Sequence, residues 1–266
     1  LEVLEHLGAE VAREGPVVRV RAAHVKTGEI PRELCEKTRT SFLFVGPLLT
    51  RVDRVKVWAP GGDGIGRRRL DAHLYGLRRL GVAIADDAFE FRARKAPARL
   101  TGGTLFFDEA SVTATEHILM VAALADGETT LLNAAGEPHV QDLAKLLNAM
   151  GASISGAGSN TLSIRGSGGR KLGGARHRVV SDRSEVGSYL APAAATGGGI
   201  AIRDTVRSHY WMTHRVFERF GLEVEIERDC VRLPPGQTPR VRSDAGGALP
   251  RVDDGAPGSV AQFRGD

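Results

Sequence analysis

Residues 111–127, SVTATEHILMVAALADG, lead into TTLLNA at 129–134 and then into a helical period that closes in LLNAMGASI at 146–154. The first piece is apolar around most of its circumference and has the length of a buried helix. The second is a short strand, and the third ends a helix on Gly151 and enters another strand. Gly151 stands where a helix end needs a left-handed residue, and TLSI at 161–164 alternates beyond it. The module is helix, strand, helix, strands.

Working outward, the module returns. LEHLGAEV at 4–11, LRRLGVAI at 77–84 and VFERFGLEV at 216–224 repeat the ending of LLNAMGASI, and the four glycines, Gly8, Gly81, Gly151 and Gly221, are spaced 73, 70 and 70 residues apart. SFLFVGPLLTR at 41–51 with VKVWAP at 55–60, and GSYLAPAAATGGG at 187–199 with IAIRD at 200–204, supply the apolar helix and its strand in neighbouring copies. A module of this size cannot bury both faces of its strands alone. Consecutive copies are therefore expected to pack with helices inward and sheets outward, or the reverse.

The fold class is α/β, built from repeats of about 70 residues. The chain opens inside the closing helix of one module, contains two full modules over about 39–178, and enters another after the polar link ARHRVVSDRSE at 175–185. Two domains are expected, 1–178 and an incomplete 179–266. The tail from Leu233 onward carries five prolines and little apolar periodicity, which predicts an irregular or mobile segment. With no initiating methionine and no cap on its first helix, the sequence reads as a fragment.

Composition sets the outer limits. Hydrophobic residues make up 42% of the 266 and charged residues 26%, ordinary for a soluble protein. No apolar run is long enough to span a bilayer and the first residues do not form a signal peptide, so a cytoplasmic location without a membrane partner is expected. Cys35 and Cys230 have neither disulfide-framework nor zinc spacing, and buried thiols are expected. A net charge of +4 permits an anionic partner. The cations are scattered, however, and aromatics amount to 5%, which disfavours a nucleic-acid stacking surface.

One stretch stands outside the module logic: PGGDGIGRRRLDAHL at 60–74. Gly61, Gly62, Gly64 and Gly66 let backbone N–H groups approach a ligand closely. The helix start that follows adds free donors, and Arg67, Arg68 and Arg69 add fixed charge suited to phosphate. Asp71 and His73 lie two apart on that helix start and point to different sides, so they are not a metal pair.

With RTSFLFVGPLLTR (39–51), PGGDGIGRRRLDAHLYGLRRLG (60–81), EASVTATE (109–116), NAAGEPHVQDL (133–143) and SDRSEVGSYL (181–190) in order along the chain, the sequence resembles the enolpyruvyl transferase family, in the branch that takes a UDP-amino sugar. The resemblance implies an inside-out α/β barrel architecture with two domains of three repeats, the second incomplete here. It implies transfer of the enolpyruvyl group of phosphoenolpyruvate to the 3′-hydroxyl of UDP-N-acetylglucosamine, with phosphate released through a tetrahedral intermediate, an activity expected to be impaired in this truncated chain. Cofactor and metal are not required. The partners are these two small molecules, not nucleic acid, and oligomeric state is left open.

Carried onto this chain, the resemblance gives Asp63 the place of the proton donor, which in many members is a cysteine. An aspartate donates a proton only if it carries one, which desolvation favours and three adjacent arginines oppose. Arg68 takes the place of the arginine that grips the phosphate of phosphoenolpyruvate, and Arg39 lines the same site. Arg68, Arg69, Leu70, Asp71 and Ala72, with His73 beside them, and Glu109, Ala110, Ser111 and Val112 match segments that hold the UDP-sugar; Glu109 stands where many members have lysine. Glu137 and Asp182 complete the set, Asp182 at the family's hinge. A Lys-Asn pair and a later arginine and aspartate used by the family lie outside this sequence. Two other readings remain: a truncated paralogue that binds UDP-sugar without turnover, and an enolpyruvylshikimate phosphate synthase-like enzyme, whose GNAGTAxR and GSKS-type segments are absent. A nucleic-acid-binding repeat protein has only the high pI in its favour.

Overall fold

A computed structural model describes residues 1–63, 69–87, 89–96 and 99–241. Its contacts divide into one unit, Leu1–Arg178, and another that begins at Val179. In chain order the first unit holds α1 (Glu2–His6), β1 (Glu10–Glu14), β2 (Val17–Arg21), α2 (Arg32–Lys37), a 3-10 helix (Arg39–Phe44), α3 (Val45–Leu49), β3 (Arg54–Trp58), α4 (Asp71–Arg79), β4 (Val82–Asp86), β5 (Glu90–Lys95), β6 (Thr104–Phe106), α5 (Val112–Ala122), β7 (Glu128–Leu132), α6 (Pro138–Ala149), β8 (Ser153–Ser155) and β9 (Thr161–Arg165). The second holds α7 (Arg183–Ala195), β10 (Ile200–Arg203), a short 3-10 turn (Arg207–His209), α8 (Trp211–Arg219), β11 (Glu225–Ile226) and β12 (Cys230–Leu233).

The four spaced glycines close α1, α4, α6 and α8 with φ of 101°, 95°, 99° and 69°, a conformation that costs an L side chain strain and glycine almost none. Each full module then builds the same sheet. The orders β3-β5-β4, β7-β9-β8 and β10-β12-β11 are identical in pattern, with the last strand of the module inserted antiparallel between the other two. β6 joins β7 in parallel, and a parallel bridge from Glu29 to Lys56 puts the segment before α2 in the same place beside β3.

Helices face inward in the first unit. α5 buries Ala114, Thr115, His117, Ile118, Leu119, Val121 and Ala122, more than half of its circumference, and leaves Val112, Thr113, Glu116 and Met120 half-buried on the remaining side. α3, α4 and α6 pack on it. The sheets lie outside and turn Val55, Val57, Leu131, Leu162 and Ile164 toward the helices. In the second unit Val186, Leu190 and Ala194 form one stripe of α7 and meet Val231 and Leu233 of β12. No helix among the described residues is long and apolar enough to cross a membrane.

Two details depart from the sequence reading. The apolar helix of residues 41–51 is broken into a 3-10 turn and the short α3, because Pro47 has no N–H to give and fits only the first turn of a helix. The tail is irregular after Leu233, but to residue 241 it is tied down: Gln237 accepts from the Glu223 N–H (2.7 Å) and donates to the Glu223 carbonyl (3.0 Å), and Arg240 N–H reaches the Phe220 carbonyl (2.7 Å). Residues 242–266 lie outside the described ones.

Gly46 shows how closely α3 meets α5. A Cβ there would lie 2.2 Å from Cγ2 of Val121 and 2.7 Å from Nε2 of His117. In a solvated helix Gly→Ala stabilises by about 1 kcal/mol. At position 46 the sign reverses: Gly46→Ala is expected to cost about 1–3 kcal/mol through overpacking. The urea midpoint at neutral pH checks this, and a midpoint equal to or above wild type would contradict the packing.

Candidate active site

The glycine loop is rooted on the last turn of α2. Gly61 N–H donates to the Cys35 carbonyl (3.0 Å) and Gly62 N–H to the Glu36 carbonyl (3.2 Å). A Cβ on Gly61 would sit 1.9 Å from the Glu36 carbonyl oxygen, so only glycine allows this approach. Cys35 is itself fixed: its carbonyl also accepts from the Ser41 hydroxyl (3.2 Å) and its sulfur from the Trp58 N–H (3.4 Å). Burial pushes its thiol pKa up, the behaviour of an inert structural cysteine. Asp63 follows and is exposed, one residue past Gly62, where an added Cβ would lie 3.3 Å from the Arg39 backbone nitrogen. Arg67 and Arg68 lie outside the described residues.

Arg39 spans from this root to the start of α4, donating from Nη2 to the Arg69 carbonyl (2.8 Å). Arg69 pairs with Asp71 at the first position of α4. Asp71, and behind it Glu109, strengthen the hold of that guanidinium on its proton. The clasp gathers Arg39, Arg69, Leu70, Asp71 and Glu109 on the side of the loop root. Ala72 packs half-buried against the core just below.

His73 is displaced from the role its position suggests. It is 3% exposed, and both ring nitrogens are engaged inside the helix layer: Nδ1 with Nδ1 of His117 (3.1 Å) and Nε2 with the Thr113 hydroxyl (3.0 Å). His117 Nε2 accepts from the Gly46 N–H (2.8 Å). An Nε2 acceptor forces the His117 proton onto Nδ1, which then donates to His73 Nδ1, and His73 in turn donates from Nε2 to Thr113. The chain of bonds assigns both tautomers and keeps both rings neutral. Burial, with Arg39 adding repulsion, pushes the His73 pKa down to about 4; burial and then His73 hold His117 well below its usual value. The ring of His73 therefore joins α4 to α5 rather than facing a ligand.

Ser111 precedes α5 without a side-chain cap bond, so the first backbone N–H groups of that helix are left for a ligand or solvent by the described residues. Ala110 and Val112 flank it. Thr115, one turn on, accepts from the Ala135 N–H (3.0 Å), which fixes the segment leading to Glu137, the residue before Pro138 at the start of α6. Glu137 is close enough to Glu116 to affect it: burial raises the Glu116 pKa, His139 opposes and Glu137 adds to the rise. Asp182 belongs to the second unit, where its carboxylate caps α7 by accepting from the Ser184 N–H (2.7 Å). His117, Thr113 and Thr115 escaped the sequence reading. The available signal was a lone histidine on the apolar face of a helix, which must find a polar partner when buried.

The glycine loop is thus fixed at its root, Arg39 ties that root to the start of α4, and α5 begins without a side-chain cap. The chain belongs to the EPSP synthase (3-phosphoshikimate 1-carboxyvinyltransferase) family, whose model matches residues 1–241. Among curated relatives, it is 42% identical over 257 residues to the UDP-N-acetylglucosamine 1-carboxyvinyltransferase of Borreliella burgdorferi and 44% identical over 256 residues to that of Treponema denticola. Each match takes in 96% of this chain and 59% of the relative, so the chain spans about three fifths of their length. Among solved structures, the enolpyruvyl transferase NikO from Streptomyces tendae aligns with a TM-score of 0.71 at 22% identity, over 88% of this chain and 56% of that one. An EPSP synthase from Acinetobacter baumannii aligns at 0.62 and 20% identity, over 87% and 55%. At these identities the structural likeness establishes the fold, which is that of the enolpyruvyl transferases.

Proposed function

We propose that this chain is part of an enzyme that transfers the enolpyruvyl group of phosphoenolpyruvate to the 3′-hydroxyl of UDP-N-acetylglucosamine, a step of peptidoglycan precursor synthesis. The observation that carries the reading is the Arg39 clasp, which joins the root of the Asp63 loop to the start of α4. The names of the curated relatives point the same way. In this mechanism protonated Asp63 gives its proton to the methylene carbon while the sugar hydroxyl adds to the neighbouring carbon and releases its own proton to solvent. The tetrahedral adduct then collapses: the C–O bond to phosphate breaks, phosphate leaves and takes a proton from solvent, and the new methyl group returns a proton to the Asp63 carboxylate. Arg39 and Arg68 offset the charge of the phosphoenolpyruvate phosphate. Arg69, Leu70, Asp71, Ala72, Glu109, Ala110, Ser111 and Val112 hold the nucleotide-sugar, with its diphosphate toward the α5 start. Glu137, the residue before the α6 start, completes the set within the first unit.

On this reading residues 1–178 form the first domain, 179–266 are part of the second, and the enzyme works in the cytoplasm. The carboxylate at position 63 leaves fosfomycin-type epoxides without the thiol they alkylate. The test is phosphate release from phosphoenolpyruvate. Release is expected to be weak, because the chain spans about three fifths of the length of its relatives, but to require UDP-N-acetylglucosamine and not to be supported by shikimate 3-phosphate. Dependence on shikimate 3-phosphate would move the activity to the other branch of the family. Saturable UDP-sugar binding with no release would favour the inactive paralogue.

A further inference from the structure

The outward face of the β3-β5-β4 sheet breaks a rule that the other sheets keep. Where charged residues face one another across strands elsewhere, the signs are opposite: Arg21 faces Glu10, Arg165 faces Glu128 and Arg232 faces Glu225. Between β3 and β5, Arg54 faces Arg94 and Lys56 faces Arg92, two like-charge pairs in succession. Like charges directly opposite destabilise a sheet. The second pair is relieved by carboxylates, since Lys56 reaches Glu29 (3.2 Å) and Glu90 (3.1 Å), and Arg92 pairs with Glu90. The first pair has no carboxylate within ion-pair distance among the described residues. Four cations stand against two carboxylates, and the surplus is concentrated at Arg54 and Arg94.

These two arginines line a shallow trough of about 730 Å³ whose other side is made of small residues, Ala83 and Ala85 on β4, across from Arg94 and Arg92 in register. Facing side chains on neighbouring strands stand about 5 Å apart, a span over which two guanidinium forks can share the oxygens of one phosphoryl group. We propose that this trough is a second anion site, for the phosphoryl group of a small phosphorylated compound, separate from the Arg39 clasp and independent of any enolpyruvyl transfer. A nucleic acid fits it poorly. A continuous phosphate backbone leaving the pair along β3 would meet Glu29 and Glu90, and the nearest large ring on this face, Trp58, already has Lys56 and Arg32 over it at 5.3 Å and 5.8 Å.

The site is tested by thermal unfolding and calorimetric titration with inorganic pyrophosphate, orthophosphate and glucose 1-phosphate, on wild type, R39Q, R94Q and the R54Q/R94Q double variant. Without anion, R94Q is expected to unfold roughly 1–3 °C above wild type because the facing repulsion is gone. With pyrophosphate the wild-type melting temperature rises by mass action; R39Q keeps most of that rise and R54Q/R94Q loses most of it. A larger rise with glucose 1-phosphate than with orthophosphate identifies a phosphate ester as the ligand; the reverse order identifies the free ion. Equal rises in wild type and R54Q/R94Q would overturn the proposal. So would duplex DNA binding tighter than pyrophosphate through the same two arginines.

Discussion

Asparagine at position 63 is expected to lower phosphate release from phosphoenolpyruvate and UDP-N-acetylglucosamine by about 10²- to 10⁴-fold, the usual contribution of a positioned general acid. The substitution preserves size and removes only the proton and the charge. Asp63 is exposed and follows the rooted Gly61–Gly62 pair, so the variant should fold and melt as wild type does. The KM for the nucleotide-sugar should change little, because in the proposed mechanism Asp63 serves the methylene carbon and not the diphosphate; the loss then belongs in kcat. Asp63→Cys supplies the complementary measurement. A thiol at the loop tip should retain turnover and become alkylated by an epoxide that leaves the parent protein unmodified, as followed by intact mass. Release from Asp63→Asn within a factor of three of wild type would remove the carboxyl group from the mechanism.

The second large effect is on stability in acid. His73 and His117 are neutral in the folded protein and titrate near pH 6.5 once unfolded. A base whose folded pKa is depressed adds no pH dependence above its unfolded value. As pH falls below 6.5 the unfolded chain takes up protons that the folded one refuses, and stability drops until the folded pKa is reached. For His73, from 6.5 to about 4, the loss amounts to roughly 3 kcal/mol by the lower limit, and His117 adds to it. Glu116, with its pKa raised by burial, acts with the opposite sign and offsets part of the loss. Between pH 6.5 and 5 carboxylates of ordinary pKa remain ionised, so the slope there reports the buried pair. Urea midpoints across that interval should fall steeply in wild type and flatten in the His73→Asn/His117→Asn double variant. A wild-type midpoint constant down to pH 5 would mean that neither ring holds a lowered pKa, against the burial of both and the bond from the Gly46 N–H.

The repeat could be read from the chain because its punctuation is local. A glycine after an amphipathic period has one cheap conformation, and four such glycines at near-constant spacing fix helix ends and strand starts without any tertiary information. Loop and motif residues from Asp63 to Val112 were likewise visible as contiguous text. The structure draws the loop root, the α4 start and the α5 start together through Arg39 and through His73 to Thr113. What could not be read depends on register or on burial. That Arg54 faces Arg94 is set by pairing between strands 40 residues apart, and no periodicity within either strand announces it. His73 was assigned with Asp71 because both stand in the segment that resembles the family's UDP-sugar contacts. Its inward direction follows from a partner, His117, that lies 44 residues away on another helix. Residue Pro47 was in plain sight and its effect on helix length was underestimated.

Cys35 has a consequence of its own. One residue takes the amide of Gly61 on its carbonyl and the amide of Trp58 on its sulfur, so the loop root and the end of β3 are both held on a single buried residue. Reagent cannot reach that sulfur unless this hold opens. In a Cys230→Ser background, the pace at which a thiol dye colours the protein is thus a stopwatch for loop detachment, readable without substrate, and any ligand that seals the loop must slow it.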